Sequence, residues 1–188
     1  MEDLLEGLNQ EQREAVQHTE GPLLILAGAG SGKTKVLTVR VAYLLAQGVS
    51  PFEILAITFT NKAAKEMKER VANIVGPVAE KIWLSTFHSF CAKLLRFEIN
   101  GYLGYNSNFT IYDTSDSQVV IKAALKALNL DDKYYPVNAM LSAISGAKNR
   151  LLFAADFRKE AQNFYDQKVA DVYEYYEREL RKNNAVDF

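Results

Sequence analysis

The stretch that most constrains the fold is residues 23–34, LLILAGAGSGKT, in which an apolar run leads into three glycines, a lysine and a threonine. A short apolar run that stops at glycine is typical of a buried β-strand, and the residues after the lysine follow a helical pattern. A strand that enters a glycine-rich turn and then a helix points backbone N–H groups and the positive end of the helix dipole at one place. The sequence therefore predicts an anion-binding turn.

The residue types in this turn indicate which anion it binds. In a phosphate-binding loop, glycines allow close approach of the backbone, a lysine reaches the terminal phosphates, and a Ser or Thr hydroxyl binds Mg²⁺. Gly32, Lys33 and Thr34 match these roles, whereas Ala27 stands where the usual pattern has glycine. The alternative is a turn without a ligand. The prediction is a nucleoside triphosphate with Mg²⁺ held through Thr34, on a loop of eight residues: Ala27, Gly28, Ala29, Gly30, Ser31, Gly32, Lys33 and Thr34.

Short apolar runs alternate with helical patterns over residues 22–88. The predicted strands are 23–27, 54–59 and 82–85, and the predicted helices are 33–46, 63–75 and one that starts at 87. Gly48 and Gly76 follow two of these helices, where a glycine cap is expected. Such alternation indicates parallel βαβ units, with ligands at the carboxyl ends of the strands. The predicted class is α/β with a parallel sheet flanked by helices.

Beyond about residue 90 the pattern is mainly helical, which suggests two domains, 1–90 and 91–188. A strand is predicted at 109–113, and whether it belongs to the first sheet stays open. Ser115 and Gln118 have the spacing of a capping box before a helix over 119–128, and Pro136 suits a helix start. Spacing places most of six apolar and aromatic residues on one helical face, and this stripe is predicted to form a core: Phe164, Val169, Val172, Tyr173, Tyr176 and Leu180.

The composition excludes several classes of protein for this chain. Its 22 basic and 23 acidic residues nearly cancel, so any affinity for a polyanion must come from a local surface. The single cysteine, Cys91, excludes an internal disulfide, and His18 and His88 have no partner at zinc-ligand spacing. The acidic N-terminus and the lack of a membrane-length apolar run predict a cytoplasmic protein without a membrane partner.

Gln12, in the segment LNQEQREAV, allows two interpretations. With Asn9 as N-cap, Gln12 is placed at the third helical position and completes a capping box. Alternatively, its amide pairs with adenine, because one amide supplies both a donor and an acceptor. The local sequence leaves both interpretations open, with capping favoured.

Polar and aromatic residues follow the second and third predicted strands. Thr58, Thr60 and Asn61 precede a basic helix, and short polar groups there can bind backbone phosphates without reading sequence. That helix also carries glutamates, so a solvated charged face is the alternative. After the third strand, Phe87 and His88 have the chemistry to stack on unpaired bases, or simply to pack and lie at the surface.

Four segments in this order, LNQEQ, AGAGSGKT, TFTNKAA and STFHSF, resemble the amino-terminal part of superfamily 1 DNA helicases of the UvrD/Rep/PcrA type. The resemblance covers essentially the whole chain, and a loop that starts at alanine is typical of that family. It implies an ATP-dependent DNA helicase that moves 3′ to 5′ on single-stranded DNA in repair or replication, in the bacterial cytoplasm near the nucleoid.

The resemblance also assigns roles to residues. Gln12 matches the adenine-recognising glutamine, and Lys33 and Thr34 match the catalytic phosphate and Mg²⁺ residues. Thr60, Asn61, Phe87 and His88 match segments that contact single-stranded DNA. Residues 1–90 then correspond to the first part of an incomplete RecA-like P-loop NTPase domain, and 91–188 to a mainly helical subdomain inserted in it that abuts single-strand/duplex junctions.

The same resemblance implies that the remainder of a helicase chain is needed for turnover. An acidic Walker B strand and a second RecA-like domain are not recognisable in residues 1–188, where Asp113, Asp187 and the pair Asp131 and Asp132 are interpreted as caps and surface charge. We therefore expect no ATP hydrolysis by this piece alone. The alternatives are a recombination helicase-nuclease subunit of the RecB/AddA type, a P-loop kinase, and a nucleotide-binding module without turnover.

Overall fold

The computed structural model describes residues 2–188 and divides the chain into two compact units, Met1–Lys93 and Leu94–Phe188. The first unit mixes helices with one pair of strands. Its elements are α1 (Glu2–Leu5), α2 (Gln10–Gln17), α3 (Lys33–Ala46), β1 (Leu55–Thr58), α4 (Asn61–Val75), β2 (Trp83–Thr86) and the start of α5 (Phe87–Glu98), with 3-10 turns at Pro51–Glu53 and Gly76–Lys81.

The strands β1 and β2 are parallel neighbours, with α4 as the connection between them. Their register runs from Leu55 opposite Trp83 to Thr58 opposite Thr86. The predicted strands at 54–59 and 82–85 and the predicted helices at 33–46 and 63–75 are confirmed. Because the strands are parallel and in register, their carboxyl ends lie side by side at one edge.

The strand predicted at residues 23–27 is wrong. Residues 22–28 have no regular secondary structure, and Leu24 and Leu26 are 80% and 86% exposed. A β-strand needs a neighbour to accept and donate its backbone hydrogen bonds. Among residues 2–188, the first unit's only strand pair is β1 with β2, so this run has no strand beside it. The glycine-rich loop therefore adjoins regular structure only on its C-terminal side, where α3 begins.

Two clusters of buried side chains hold the first unit together. One joins α3 and α4 to the strands through residues such as Val41, Met67 and Ile82. The other packs α2 on α3 through Leu8, Val16, Val36 and Val39. This second cluster places α2, which carries Gln12, directly beside the helix that starts at Lys33.

The second unit is mainly helical. After the end of α5 and a 3-10 turn at Tyr102–Gly104, its elements are β3 (Thr110–Ile111), α6 (Thr114–Ala127), α7 (Val137–Asn149), α8 (Ala154–Glu160), α9 (Phe164–Lys182) and β4 (Ala185–Val186). The predicted strand is present as β3, which pairs in parallel with β4 in a sheet of its own. The unit's first and last strands are therefore neighbours.

The predicted core face of α9 is confirmed for five of its six residues: Val169, Val172, Tyr173, Tyr176 and Leu180 are all buried. Phe164 is 68% exposed, so that part of the prediction is wrong. Phe164 is the first residue of α9, after the N-cap Asn163. Phe164 is not part of the hydrophobic cluster that contains the other five residues of the stripe.

The capping box predicted for Ser115 and Gln118 is also wrong. Asp113 is the N-cap of α6, its carboxylate accepts a hydrogen bond from the Asp116 backbone N–H at 2.9 Å, and the Asp116 carboxylate accepts one from the Asp113 N–H at 3.0 Å. Aspartate caps as well as serine does, and a negative charge at the helix start is favourable. The helix therefore begins at Thr114 rather than near Val119.

Asp187 is not surface charge, contrary to the sequence-based interpretation. Its carboxylate accepts hydrogen bonds from Lys148 Nζ at 2.9 and 3.0 Å and from the Tyr176 hydroxyl at 3.0 Å. The Tyr176 hydroxyl oxygen in turn accepts a hydrogen bond from the Ser117 hydroxyl at 2.9 Å, and Lys148 forms an ion pair with Glu177 at 2.8 Å. These contacts tie the residue after β4 to three helices of the second unit.

Because two tyrosines of this unit are buried, we expect its free energy of unfolding to depend on pH in the alkaline range. Desolvation, with the charges of Glu177 and Asp187, raises the pKa of Tyr173 from 10.0 to about 12, and burial raises the pKa of Tyr176 as well. The folded state thus holds these protons more tightly than the unfolded state does. We expect the free energy of unfolding to be unaffected by these groups below pH 10 and to fall as pH rises from 10 to 12.

Urea unfolding at a series of pH values, followed by circular dichroism, measures this dependence. Tyr173→Phe should flatten the decline between pH 10 and 12, while the exposed Tyr134→Phe should reproduce the wild-type decline. An identical decline in wild type and Tyr173→Phe would contradict the assignment.

Within residues 2–188, no helix is both long and apolar enough to cross a membrane.

Candidate functional site

The loop between residues 27 and 33 has the backbone shape that its glycines allow. Gly30 and Gly32 have φ values of +77° and +82°, which residues with a side chain rarely adopt. The Ser31 hydroxyl donates to the Gly28 carbonyl at 2.8 Å and closes the turn. Gly32 is the N-cap of α3, and no side chain within residues 2–188 caps that helix start. The first N–H groups of α3 therefore open onto the loop.

Lys33 lies at the centre of this loop. Its Nζ donates to the Gly28 carbonyl at 2.5 Å and to the Ala27 carbonyl at 3.1 Å, while the residue itself is exposed. The ammonium group thus sits inside the turn, next to the start of α3. A positive side chain and a helix N-terminus in one place favour a multiply charged anion such as a phosphate chain.

Gln12 makes the predicted capping contacts and one further contact with the glycine-rich loop. Its Oε1 accepts from the Asn9 N–H at 3.1 Å while Asn9 Oδ1 accepts from the Gln12 N–H at 2.8 Å, so the capping box is confirmed. Its Nε2 also donates to the Ser31 carbonyl at 3.0 Å. A Cβ added at Gly32 would lie 2.9 Å from that nitrogen. Capping the helix and reaching the loop are therefore compatible for this side chain.

A cleft of about 430 Å³ lies between α2, the loop and the start of α3. Gln12 and Lys33 both line it, and its remaining walls are largely apolar, with Ala15, Ile25 and Val36 among them. A flat aromatic base needs apolar walls and one polar edge, which this lining offers. The cleft thus joins a surface suited to a base to a loop suited to phosphates.

Thr34 is an exposed residue in the first turn of α3, directly after Lys33. The Thr34 backbone carbonyl accepts a hydrogen bond from the Thr38 hydroxyl at 2.6 Å. That bond does not involve the Thr34 hydroxyl. Among the described residues, no group of three His, Cys, Asp or Glu side chains could hold a metal ion by itself.

A second set of candidate residues lies where β1 and β2 end. Thr60 is the N-cap of α4, with Oγ1 accepting from the Ala63 N–H at 3.1 Å, and Asn61 is the exposed first residue of that helix. Thr58 Oγ1 donates to the Thr60 carbonyl at 3.2 Å. The start of α4 is therefore a polar surface built from hydroxyl and amide groups.

Two aromatic rings flank this polar surface. Phe87 begins α5 directly after β2, and its ring centroid lies 5.7 Å from that of Phe59, which follows β1. Phe59 is 90% exposed and Phe87 is 49% exposed, and the neighbouring His88 is also exposed. The pair of rings, called the aromatic pair below, presents π faces to solvent next to Thr60 and Asn61.

Phe59 was not singled out from the sequence. Its only signal is an apolar side chain between two threonines, Thr58 and Thr60, at the end of a strand. The parallel register of β1 and β2 brings it to Phe87, which is 28 residues away in the chain. A contact over that separation has no local pattern from which it could be predicted.

The basic face of α4 is largely neutralised. Lys68 pairs with Glu80 at 2.5 Å, Lys65 lies 3.9 Å from Glu69, and Arg70 pairs with Glu66 one turn away. These ion pairs favour the interpretation of a solvated charged face. The candidate contacts for a nucleic acid are accordingly at the start of α4 and not along its length.

Comparison with known proteins gives a consistent result. The model of the UvrD/REP helicase N-terminal domain matches residues 8–188. ATP-dependent DNA helicase PcrA of Bacillus subtilis is 56% identical over 186 residues, which is 98% of this chain and 25% of that protein. PcrA of Staphylococcus epidermidis is 54% identical over 189 residues, 100% of this chain and 26% of the relative, and PcrA of Staphylococcus aureus gives the same values.

This chain therefore spans about a quarter of the length of the curated relatives it matches. Of the alternatives that the sequence left open, the match favours the helicase of the UvrD/REP type. The glycine-rich loop with Lys33 lies within the matched residues, as do Gln12 and the aromatic pair. From this match over residues 8–188, the chain belongs to the UvrD/REP helicase N-terminal domain family.

Proposed function

We propose that this chain is the ATP-binding and single-stranded-DNA-binding part of an ATP-dependent DNA helicase that moves 3′ to 5′ in DNA repair or replication. The observation that carries the proposal is the convergence of Gln12 and Lys33 on one loop, with Gln12 Nε2 3.0 Å from the Ser31 carbonyl. A single cleft is therefore lined both by Gln12, which is suited to a base, and by Lys33, which is suited to phosphates. The relatives' printed name, ATP-dependent DNA helicase, supports it.

On the nucleotide side, each group has a distinct role. The N–H groups at the start of α3 and the Lys33 ammonium bind the β- and γ-phosphates, and Gln12 binds the edge of adenine. Thr34 would hold Mg²⁺ together with phosphate oxygens, and when bound the ion neutralises charge that develops on the transferred phosphoryl group. The chain's own residues thus bind and orient ATP, with the apolar cleft walls excluding water from the base.

On the DNA side, Thr60 and Asn61 bind a backbone phosphate, while the aromatic pair and His88 stack on bases. Such contacts bind single strands without reading sequence, because every base has a π face and every nucleotide a phosphate. We further propose that the first unit is the beginning of a RecA-like domain, and that the second unit is the inserted subdomain that faces single-strand/duplex junctions. The parallel β1–β2 pair and the mainly helical second unit support this assignment.

Binding measurements on this chain test the proposal. Calorimetry with Mg·ATP should show binding that CTP only weakly reproduces, because the Gln12 amide is proposed to pair with the edge of adenine. Fluorescence polarisation should show binding to a labelled oligothymidylate that exceeds binding to a duplex and falls steeply between about 50 and 200 mM salt. Failure to bind ATP, or salt-independent binding to one preferred duplex sequence, would contradict it.

A further inference from the structure

Arg40 connects α3 to the helix that carries Gln12. Its guanidinium Nη1 donates to the Ala15 carbonyl of α2, and the arginine is half-buried. Ala15 is three residues beyond Gln12, so the two residues share a face of α2. Both also line the cleft beside the phosphate-binding loop. The Arg40 contact is therefore made at the same face from which Gln12 reaches the loop.

The physical reason for this contact lies in the end of α2. The helix closes at Gln17, so the Ala15 carbonyl is one of the last four, which have no partner within the helix. A partly buried carbonyl of this kind needs a donor, and a cation at the carboxyl end of a helix also interacts favourably with the helix dipole. Arg40 supplies both the donor and the charge from the neighbouring helix.

A second cation holds the other end of the same segment. Lys35 Nζ donates to the Gly7 carbonyl at 2.7 Å, ahead of α2. Next to these two attachments in the chain, the buried side chains of Leu8 and Val16 pack against α3. The position of Gln12 over the loop is therefore set by α3, the helix that also begins with Lys33.

We propose that Arg40 is a positioning residue for Gln12: it holds the carboxyl end of α2 on α3, which keeps the Gln12 amide over the loop and in place to select adenine. Arg40 does not itself line the cleft among the described lining residues. This inference rests on the proposed function, in which Gln12 binds the adenine edge. Arg40 would thus contribute to base selection only through its effect on the position of Gln12.

Calorimetry on this chain tests the proposal with three probes: Mg·ATP, Mg·CTP and magnesium tripolyphosphate, which has the phosphates but no base. Arg40→Met keeps the length of the side chain and removes the donor and the charge. We expect it to lower ATP affinity about tenfold, and we expect the same of Gln12→Ala, since one hydrogen-bonding side chain contributes on this scale. Tripolyphosphate affinity should stay within about twofold of wild type.

Two further variants separate positioning from general damage. Arg40→Lys retains a charged donor and should recover most of the ATP affinity. In the double variant Gln12→Ala with Arg40→Met, the losses should not add, because both remove the same contact with the base. Arg70→Met is the matched control, since Arg70 pairs with Glu66 on the exposed face of α4 and should leave all three affinities unchanged.

Several results would overturn the inference. An equal loss of ATP and tripolyphosphate affinity in Arg40→Met would mean that the loop itself is damaged. Losses that add in the double variant would mean that Arg40 acts independently of Gln12. If wild type bound ATP and CTP equally, or Gln12→Ala had no effect, the proposed adenine recognition would fail, and the role of Arg40 with it. A normal Gln12→Ala effect with an unaffected Arg40→Met refutes the positioning role alone.

Discussion

Replacing Lys33 by alanine is expected to lower the affinity of this chain for Mg·ATP about ten- to a hundredfold. The Lys33 ammonium lies within hydrogen-bond distance of the Ala27 and Gly28 carbonyls, inside the loop that opens α3. Hydrogen bonds to charged groups are stronger than those between neutral groups, and a triphosphate presents several charged oxygens. Isothermal titration calorimetry at fixed Mg²⁺ concentration gives both affinities directly.

Lys65→Ala is the matched control for this substitution. Lys65 is an exposed lysine in α4 whose nearest acidic partner, Glu69, is 3.9 Å away, so removal of its charge should leave ATP affinity unchanged. The assignment of Lys33 is refuted by equal affinities in wild type and Lys33→Ala. An equal loss in both lysine variants would instead point to a general effect of net charge.

Removal of either ring of the aromatic pair should reduce affinity for single-stranded DNA by about five- to a hundredfold, because base–aromatic stacking contributes about 1–3 kcal/mol per base. Phe59→Leu and Phe87→Leu keep an apolar side chain of similar size and remove the π face. Fluorescence polarisation with a labelled oligothymidylate measures the loss. Both rings are exposed, so the variants should fold as wild type does.

The control for the aromatic pair is Phe97→Leu, which alters an exposed ring on the same helix as Phe87 but near its other end. It should bind the oligonucleotide as wild type does. ATP affinity should be unchanged in all three variants, since none of the three rings lines the proposed nucleotide cleft. Wild-type DNA affinity in both Phe59→Leu and Phe87→Leu would contradict the stacking role.

Features that depend on neighbours in the chain could be predicted from the sequence. Helix α3 begins and ends where its pattern indicated, and the Asn9–Gln12 capping box is formed. The glycine-rich loop has positive φ at Gly30 and Gly32, as residue type alone would suggest. In each case the decisive contacts lie within four residues, so that propensity and hydrogen bonding act locally. Where two capping signals lay close together, the sequence indicated the wrong one: α6 is capped by Asp113 and Asp116 and not by Ser115 and Gln118.

Features that depend on distant residues could not be predicted in this way. The second bond of Gln12, to Ser31, spans 19 residues, and the pairing of Phe59 with Phe87 depends on the register of two strands. The apolar run 23–27 has the composition of a strand, but strand formation is decided by a hydrogen-bonding neighbour. The sequence suggested that Asp187 is surface charge, because its partners Lys148 and Tyr176 are distant in the chain and only the fold brings them to it.

The sequence by itself determined the residues of the proposed phosphate site: the glycines, Lys33 and Thr34 are groups that a phosphate chain requires, and they are adjacent in the chain. Only the tertiary structure decided which distant side chains lie beside the glycine-rich loop. The packing of α2 on α3, together with Arg40, brings Gln12 to the loop, and the parallel β1–β2 pair brings two aromatic rings to one edge. Both outcomes depend on burial and pairing between residues far apart in the chain, which no local pattern encodes.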